Sequence, residues 1–439
     1  RRQRQMCIRD RLGKISIKRL NSTYTSKKLE ISQEKIKYKR ISKRKKTFSS
    51  NYKKNLSNLT ESIFPLPWTM WPYEAKILIV LIGIWSILGI CILGSSSWWV
   101  ASREMGNWAY FLKKQIIWTI PGIGLFYFVL NTNIRNLLKF SRIIFFILLT
   151  LIFLTNISGI TVNGSSRWLV LGNLRLQPSE LIKPFLILEA SNLFAHWNLV
   201  KNDKKLISII SFGLLILLIL KQPNLSTASL TGILLWVMGL CGGVKLSSLC
   251  SFASIGFITG CISILNNEYQ KLRVTSFINP WKDQQESGFQ LVQSLLAIGS
   301  GGLFGQGFGL SIQKLQYLPF MYTDFIFAIF AEEFGLLGCT LFLGFLSVFS
   351  YISLRISLKC RNNYTKLVAI GCGVLLTGQS IMHIAVATGS MPTTGLPLPF
   401  ISYGGNSLIA SFFIAGMLVR CSLESTGFIG MISTRKTLN

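Results

Sequence analysis

The sequence predicts an all-α polytopic membrane protein of about ten transmembrane helices. Both termini fall on the cytoplasmic (or stromal) side, and a large outer loop separates helices 7 and 8. Three observations carry that expectation. Half of the 439 residues are hydrophobic and only 14% are charged, a balance unlike that of soluble globular domains. Apolar runs of the length a bilayer needs, roughly 17–25 residues with their flanks, recur along most of the chain. Lys and Arg gather in alternate connections, as the positive-inside rule requires.

Taken in order, residues 1–62 form a basic tail, 63–75 a pre-membrane linker, 76–422 the membrane domain and 423–439 a short inner tail. The tail holds 20 Lys+Arg against four acids, so it supplies over half of the net charge of +30. Residues 1–11 resemble translated adapter sequence and receive no functional assignment. Residues 12–60 are rich in Lys and Ser, whereas organelle transit peptides favour Arg. A Lys-rich arm on anionic lipid headgroups and a solvated, disordered tail both fit this composition. Nucleic-acid binding does not, because the tail lacks interleaved aromatics and any folded basic module. The first apolar run begins near Ile77, too deep for a cleavable signal peptide. The nine Cys show no spacing that implies a disulfide framework or a zinc site.

The apolar segments lie near 76–94, 115–130, 143–162, 180–197, 206–220, 226–244, 247–265, 324–350, 366–389 and 405–420. With the tail inside, Arg135, Lys139, Arg142, Lys201, Lys204, Lys205, Lys245, Arg355, Lys359, Arg361 and Lys366 all fall in inner connections. The stretches least like simple connectors then land on the outer side. They are Asn163-Gly-Ser-Ser-Arg-Trp168, Gln177-Pro-Ser-Glu-Leu-Ile-Lys183, Asn279-Pro-Trp281, the glycine-rich 299–309, Tyr317–Asp324 and Gly395-Leu-Pro-Leu-Pro-Phe-Ile-Ser-Tyr-Gly-Gly405. The chemistry is therefore expected at the outer face.

Several residues there invite a role. Asp324 opens a span, and carboxylates at a membrane boundary are costly and usually functional; helix capping is the plainer use of an Asp in that position. Glu180 and Lys183 share one helical face, where they form either a local ion pair or a positioned cation for an anionic ligand. Arg167 offers a planar fork suited to phosphate oxygens, or an interfacial anchor beside Trp168. Gln177 and Ser179 suit a helix start and, with Arg167, Glu180 and Lys183, are the candidate substrate-binding residues. Glu332 and Glu333 follow Asp324 by eight and nine residues, about 12–14 Å along a helix, and are expected to satisfy polar groups between helices. Gln379 and His383 are one turn apart and expected to bond a neighbouring helix.

Together, Gln177-Pro-Ser-Glu180 with Lys183, Asn279-Pro-Trp281, Gln293-Ser294, Tyr317-Leu-Pro319, Thr323-Asp-Phe-Ile-Phe327 with Glu332-Glu333, and Gly395–Gly405 resemble the SEDS proteins. These are the shape, elongation, division and sporulation proteins of the FtsW/RodA type. The resemblance spans roughly residues 75–422 and is nearer to division-type members. It implies a ten-helix peptidoglycan glycosyltransferase that polymerises lipid II, with a class B penicillin-binding transpeptidase and other division proteins as partners. It puts the essential aspartate on Asp324 and the paired charges on Glu180 and Lys183. Pro280, Trp281, Gln293, Pro399, Ser402 and Gly404 are motif residues. Two departures stand out: Phe320, Met321 and Tyr322 occupy positions where many members carry Glu and His, and Pro184 replaces an ordinary apolar residue.

On this reading Asp324 is the general base, while Lys183 and Arg167 stabilise the departing diphosphate. A divalent cation (Mg or Mn) is an optional helper, and no cofactor is certain. A lipid II flippase using Glu332, Glu333 and His383 is one alternative. A non-catalytic scaffold of the division machinery is another.

Overall fold

In the computed structural model the described residues are 69, 71–162, 165–172, 174–315 and 317–425. The basic tail and most of the terminal segment 423–439 lie outside them. Each apolar segment of the sequence becomes a helix. The first seven are α1 (Tyr73–Met105), α2 (Tyr110–Asn131), α3 (Ile134–Ser158), α4 (Pro178–Phe194), α5 (Asn202–Lys221), α6 (Leu225–Cys241) and α7 (Leu246–Asn266). The long connection after α7 adds α8 (Glu268–Ile278), a single 3-10 turn at Pro280–Asp283, and α9 (Phe289–Gly301). The chain finishes with α10 (Ile326–Lys359), α11 (Asn363–Ala387) and α12 (Gly405–Ser425).

Six of these, α1, α3, α7, α10, α11 and α12, are long and apolar enough to cross a membrane by length and composition. Burial sorts them. The apolar window of α12 is 89% buried and that of α11 78%, whereas that of α7 is only 6% buried. Helices α11 and α12 are thus the axis of the bundle, with α7 on its periphery. Helix α12 packs along α2, and α4 lies between α3, α11 and α12. Trp85 of α1 is fully buried, with its ring edge-on to Phe345 and Phe349 of α10 at 5.5 and 5.4 Å.

The all-α expectation needs one correction. Between α3 and α4 run three short strands, β1 (Ile160–Val162), β2 (Ser165–Leu171) and β3 (Leu174–Leu176), paired antiparallel in that order. Val162 pairs with Ser165 and Leu171 with Leu174, so each hairpin turns on two residues. Asn163-Gly164 is a strong two-residue hairpin signal, and Gly172 has the positive φ (62°) such a turn demands.

Two polar clusters bracket the bundle. At one end Glu74 of α1 pairs with Arg355 (3.7 Å) and Lys359 of α10. At the other, Glu333 accepts from Ser95 of α1 (2.5 Å) and from Lys314 (3.0 Å). Glu74 and Ser95 are separated along α1 by about 30 Å at 1.5 Å per residue, the thickness of a bilayer's hydrocarbon core. Glu332 and Glu333 therefore sit towards the end of the bundle opposite Glu74, level with the 311–314 segment they bind. Glu332 accepts from Ser311 Oγ, from the backbone N–H of Ile312 at 3.0 Å and from that of Gln313 at 3.4 Å. They satisfy polar groups, as the sequence suggested, but mainly those of the loop that leads to Asp324.

Helix α10 is broken at Gly335 (φ 64°, ψ −165°). There the N–H groups of Leu336 and Leu337 bond to the carbonyls of Gly302 and Leu303, while those of Gln306 and Gly307 bond to the carbonyls of Glu332 and Glu333. A Cβ at Gly335 would lie 2.3 Å from the Gly305 backbone, so this crossing requires glycine. The glycine-rich stretch is a backbone clamp on the break, and residues 336–359 alone span about 36 Å.

Candidate active site

Asp324 lies beyond that break, two residues ahead of the first turn of α10. Its position comes from a tight turn in which the N–H groups of Thr323, Asp324 and Phe325 all converge on the carbonyl of Phe320. Phe320 itself is left-handed, with φ 55°. Phe325 is the N-cap of α10 and no side chain caps the helix, so the capping use of Asp324 does not apply.

The loop that precedes α12 is stitched to this turn. Ser402 Oγ donates to the carbonyl of Thr323 at 2.6 Å and accepts from the N–H of Leu398 at 2.8 Å. The N–H of Tyr403 donates to the carbonyl of Tyr322 at 2.9 Å. Phe400 is left-handed (φ 62°), with its buried ring held 5.3 Å from Trp85 and 5.1 Å from Phe412. Pro399 is buried beside it, and the carbonyl of Gly404 accepts the first bond of α12, from Leu408.

These contacts put Gly395 at the meeting point of the Arg167 and Asp324 side chains. A methyl group there would lie 3.1 Å from Arg167 Nη1 and 3.6 Å from Asp324 Oδ2. Arg167 reaches in from β2, anchored by Nη2 on the carbonyl of Pro223 at 2.8 Å. A second arginine, Arg273 of α8, donates to the carbonyl of Thr393 at 3.1 Å and lies 4.5 Å from the centre of the Tyr269 ring. Asp324 is in none of the ion pairs among the described residues. Two guanidinium groups thus flank a carboxylate without neutralising it by direct contact.

The electrostatics follow from that arrangement. Asp324 keeps some exposed surface. Loss of water there pushes its carboxyl from the ordinary value of 3.8 up to about 6, against the pull of Arg273, of Arg167 and of the Thr323 hydrogen bond. Burial wins over two nearby cations. The same burial lowers the Arg167 pKa, with Tyr269 and Asp324 opposing it; a guanidinium remains charged regardless. The result is a carboxylate poised close to neutral pH beside two fixed positive charges.

The Gln177-Pro-Ser-Glu region has a different fate. Gln177 is the N-cap of α4 through its backbone, with no side-chain cap. The Ser179 hydroxyl is buried without a hydrogen-bond partner. Glu180 and Lys183 are 2% and 1% exposed and pair at 2.6 Å. Lys183 also donates to Gln379 Oε1 at 3.0 Å. Its ammonium is enclosed by protein and paired within the bundle, as a buried cation requires. Pro184 sits inside an unbroken α4.

Among the motif residues, Pro280 and Trp281 build the 3-10 turn between α8 and α9, and the Pro280 carbonyl closes on Gly288. Gln293 is half-buried on α9, beside Ser294, whose hydroxyl donates to the carbonyl of Ala387. Sequence reasoning missed Arg273 and Gly395. The first had a readable signal: Tyr269 and Arg273 are four apart on one helix face, in an outer loop. The second had none, because its meaning lies in what approaches it.

Residues 75–427 match the model of the Cell cycle protein family, FtsW, RodA and SpoVE. A protein of Mesostigma viride named as a peptidoglycan glycosyltransferase, FtsW, is 46% identical over 356 residues, covering 81% of this chain and 86% of that one. Its counterpart in Synechocystis is 44% identical over 373 residues, covering 84% and 95%. Among solved structures, a chain of a peptidoglycan synthase complex that coordinates polymerization and crosslinking aligns with a TM-score of 0.67 at 25% identity, covering 82% of this chain and 99% of that one. The rod shape determining protein RodA of Thermus thermophilus aligns with a TM-score of 0.60 at 24% identity, covering 81% and 98%, and shares the fold. The chain is thus a multi-pass membrane protein that belongs to the FtsW/RodA/SpoVE family of cell cycle proteins.

Proposed function

We propose that this chain is a peptidoglycan glycosyltransferase of the division type, polymerising lipid II into glycan strands at the outer face of a bacterial plasma membrane or plastid inner envelope. The carrying observation is Asp324, pushed up to about 6 and flanked by Arg167 and Arg273 without a direct ion pair. In the proposed topology the ten long helices all span, both termini are inside, and the 266–323 loop is outside.

The reaction needs a base on the attacking sugar hydroxyl and positive charge on the departing diphosphate. Asp324 takes the proton of the acceptor 4-hydroxyl as its oxygen attacks the donor's anomeric carbon. The bond from that carbon to the diphosphate oxygen breaks, with inversion. Arg167 and Arg273 hold the negative charge that develops there. A positioned base contributes about 10²–10⁴-fold. Among the described residues no three His, Cys, Asp or Glu cluster together. A divalent cation, as an optional helper, would be held by the diphosphate with Asp324 as the carboxylate at the site. A class B penicillin-binding transpeptidase is the proposed partner.

The flippase alternative would use Glu332, Glu333 and His383, of which Glu333 Oε2 and His383 Nε2 are buried without a partner among the described residues; the relatives named as peptidoglycan glycosyltransferases favour the polymerase. The test is polymerisation of lipid II by the purified chain, with and without the transpeptidase, comparing wild type with Asp324→Asn. Loss of glycan product in the variant is expected. Polymer formed by Asp324→Asn at the wild-type rate removes the assignment.

A further inference from the structure

We infer that Gln379 is a positioning residue through which the buried Glu180–Lys183 pair sets the loop facing Asp324. The inference rests on the reading above, that the loop beginning at Gly395 lines the reaction site.

Lys183 donates to Glu180 Oε1 at 2.6 Å and to Gln379 Oε1 at 3.0 Å. An ammonium has donors only, so the amide of Gln379 must turn its oxygen towards Lys183. Its NH2 group then points the other way and donates to the carbonyl of Pro397 at 2.6 Å. The charge on Lys183 therefore fixes the polarity of a side-chain amide that could otherwise flip. One turn along α11, His383 Nδ1 bonds to the carbonyl of Leu396 at 2.8 Å. Two consecutive loop carbonyls are thus gripped from one face of α11.

The loop depends on this grip. Pro397 and Pro399 have no N–H, so the segment cannot build a backbone ladder of its own. Its amide at Leu398 is taken by Ser402, which ties it to the Asp324 turn. Two residues before Pro397 lies Gly395, against Arg167 and Asp324. The paired charges of α4 thereby reach the reaction site through one amide and one carbonyl. Direct contact with substrate is not needed.

The test uses the full chain and two readouts, hydrogen–deuterium exchange and lipid II polymerisation. Gln379→Glu keeps the shape and still accepts from Lys183, yet cannot donate to Pro397. Lys183→Met removes the charge that sets the amide. Both variants are expected to speed exchange across Gly395–Tyr403 at least ten-fold, with α4 and the first half of α11 unchanged. Turnover should fall at least ten-fold while KM stays within two-fold. If Lys183 instead binds diphosphate, Lys183→Met raises KM and leaves exchange of the loop untouched. If the trio only packs helices together, Gln379→Glu lowers the melting temperature without a local rise in exchange. Either result overturns the inference. Should Lys183→Met fail to fold, Gln379→Glu decides alone. Should the wild type make no polymer, the exchange readout still decides the relay while the assigned activity fails.

Discussion

Arg167 Nη1 and Asp324 Oδ2 both come within van der Waals reach of one missing methyl group, that of Gly395. The two side chains belong to a β-hairpin and to a helix entrance far apart in sequence. Their shared neighbour is a glycine, which leaves open the space that a reacting group needs.

Filling that space gives the first prediction. Gly395→Ala places a carbon 3.1 Å from the guanidinium and 3.6 Å from the carboxylate. Gly395 has no positive φ, so the backbone tolerates the change. Polymerisation is expected to fall about ten-fold or more, since small misplacements at a reacting centre are costly, with the melting temperature nearly unchanged. An activity assay paired with a thermal melt checks it.

Asp324→Asn should abolish activity and stabilise the fold. The folded-state pKa lies above the ordinary value, so the protonated carboxyl favours the fold, and that contribution is lost as pH rises from about 4 through about 6. At pH 7.5 the neutral amide escapes the penalty. A gain of about 1–2 kcal/mol is expected after discounting for solvent screening at a partly exposed site. The variant should melt higher than wild type at pH 7.5 and not at pH 4.

The rate should also rise with pH through about 6, as Asp324 loses its proton. Arg273 is the stronger of the two cations pulling that value down. Arg273→Gln removes the pull, so the acidic limb is expected to move to higher pH, by about half a unit to one unit. Profiles of kcat/KM for the two proteins report this, and an unmoved limb excludes Arg273 from the site.

Phe320 and Phe400 share a left-handed backbone and differ in what their rings touch. Phe320 is 39% exposed, whereas Phe400 is 2% exposed and packed against Trp85 and Phe412. Phe320→Gly should cost little, because glycine relieves the backbone. Phe400→Gly should cost about 3–5 kcal/mol from the lost buried ring. Denaturation of the two variants in detergent separates them.

The spans and the Asp324 stretch were legible in the sequence because both are local. A bilayer demands continuous apolar length, and a lone carboxylate beside such a run is visible without tertiary knowledge. For Lys183 the sequence shows a place near the boundary but cannot show α11 closing over it. Arg273 and Gly395 gain their meaning from the close approach of α8, β2 and the loop before α12. The β-hairpins were hidden in a Gly/Ser-rich stretch too short to show alternation.

The break at Gly335 carries one further consequence. Below it, the 336–359 rod must tilt or shift when lipid thickness changes, pivoting where the N–H groups of Leu336 and Leu337 bond to the carbonyls of Gly302 and Leu303. The short stub above it is anchored by the hydrogen bonds that the carbonyls of Glu332 and Glu333 accept from the N–H groups of Gln306 and Gly307, and by the grip of the Glu332 carboxylate on the 311–313 turn. The altitude of the Asp324 carboxylate is therefore dictated by protein, and the catalytic ledge should ride unchanged over membranes of different depth.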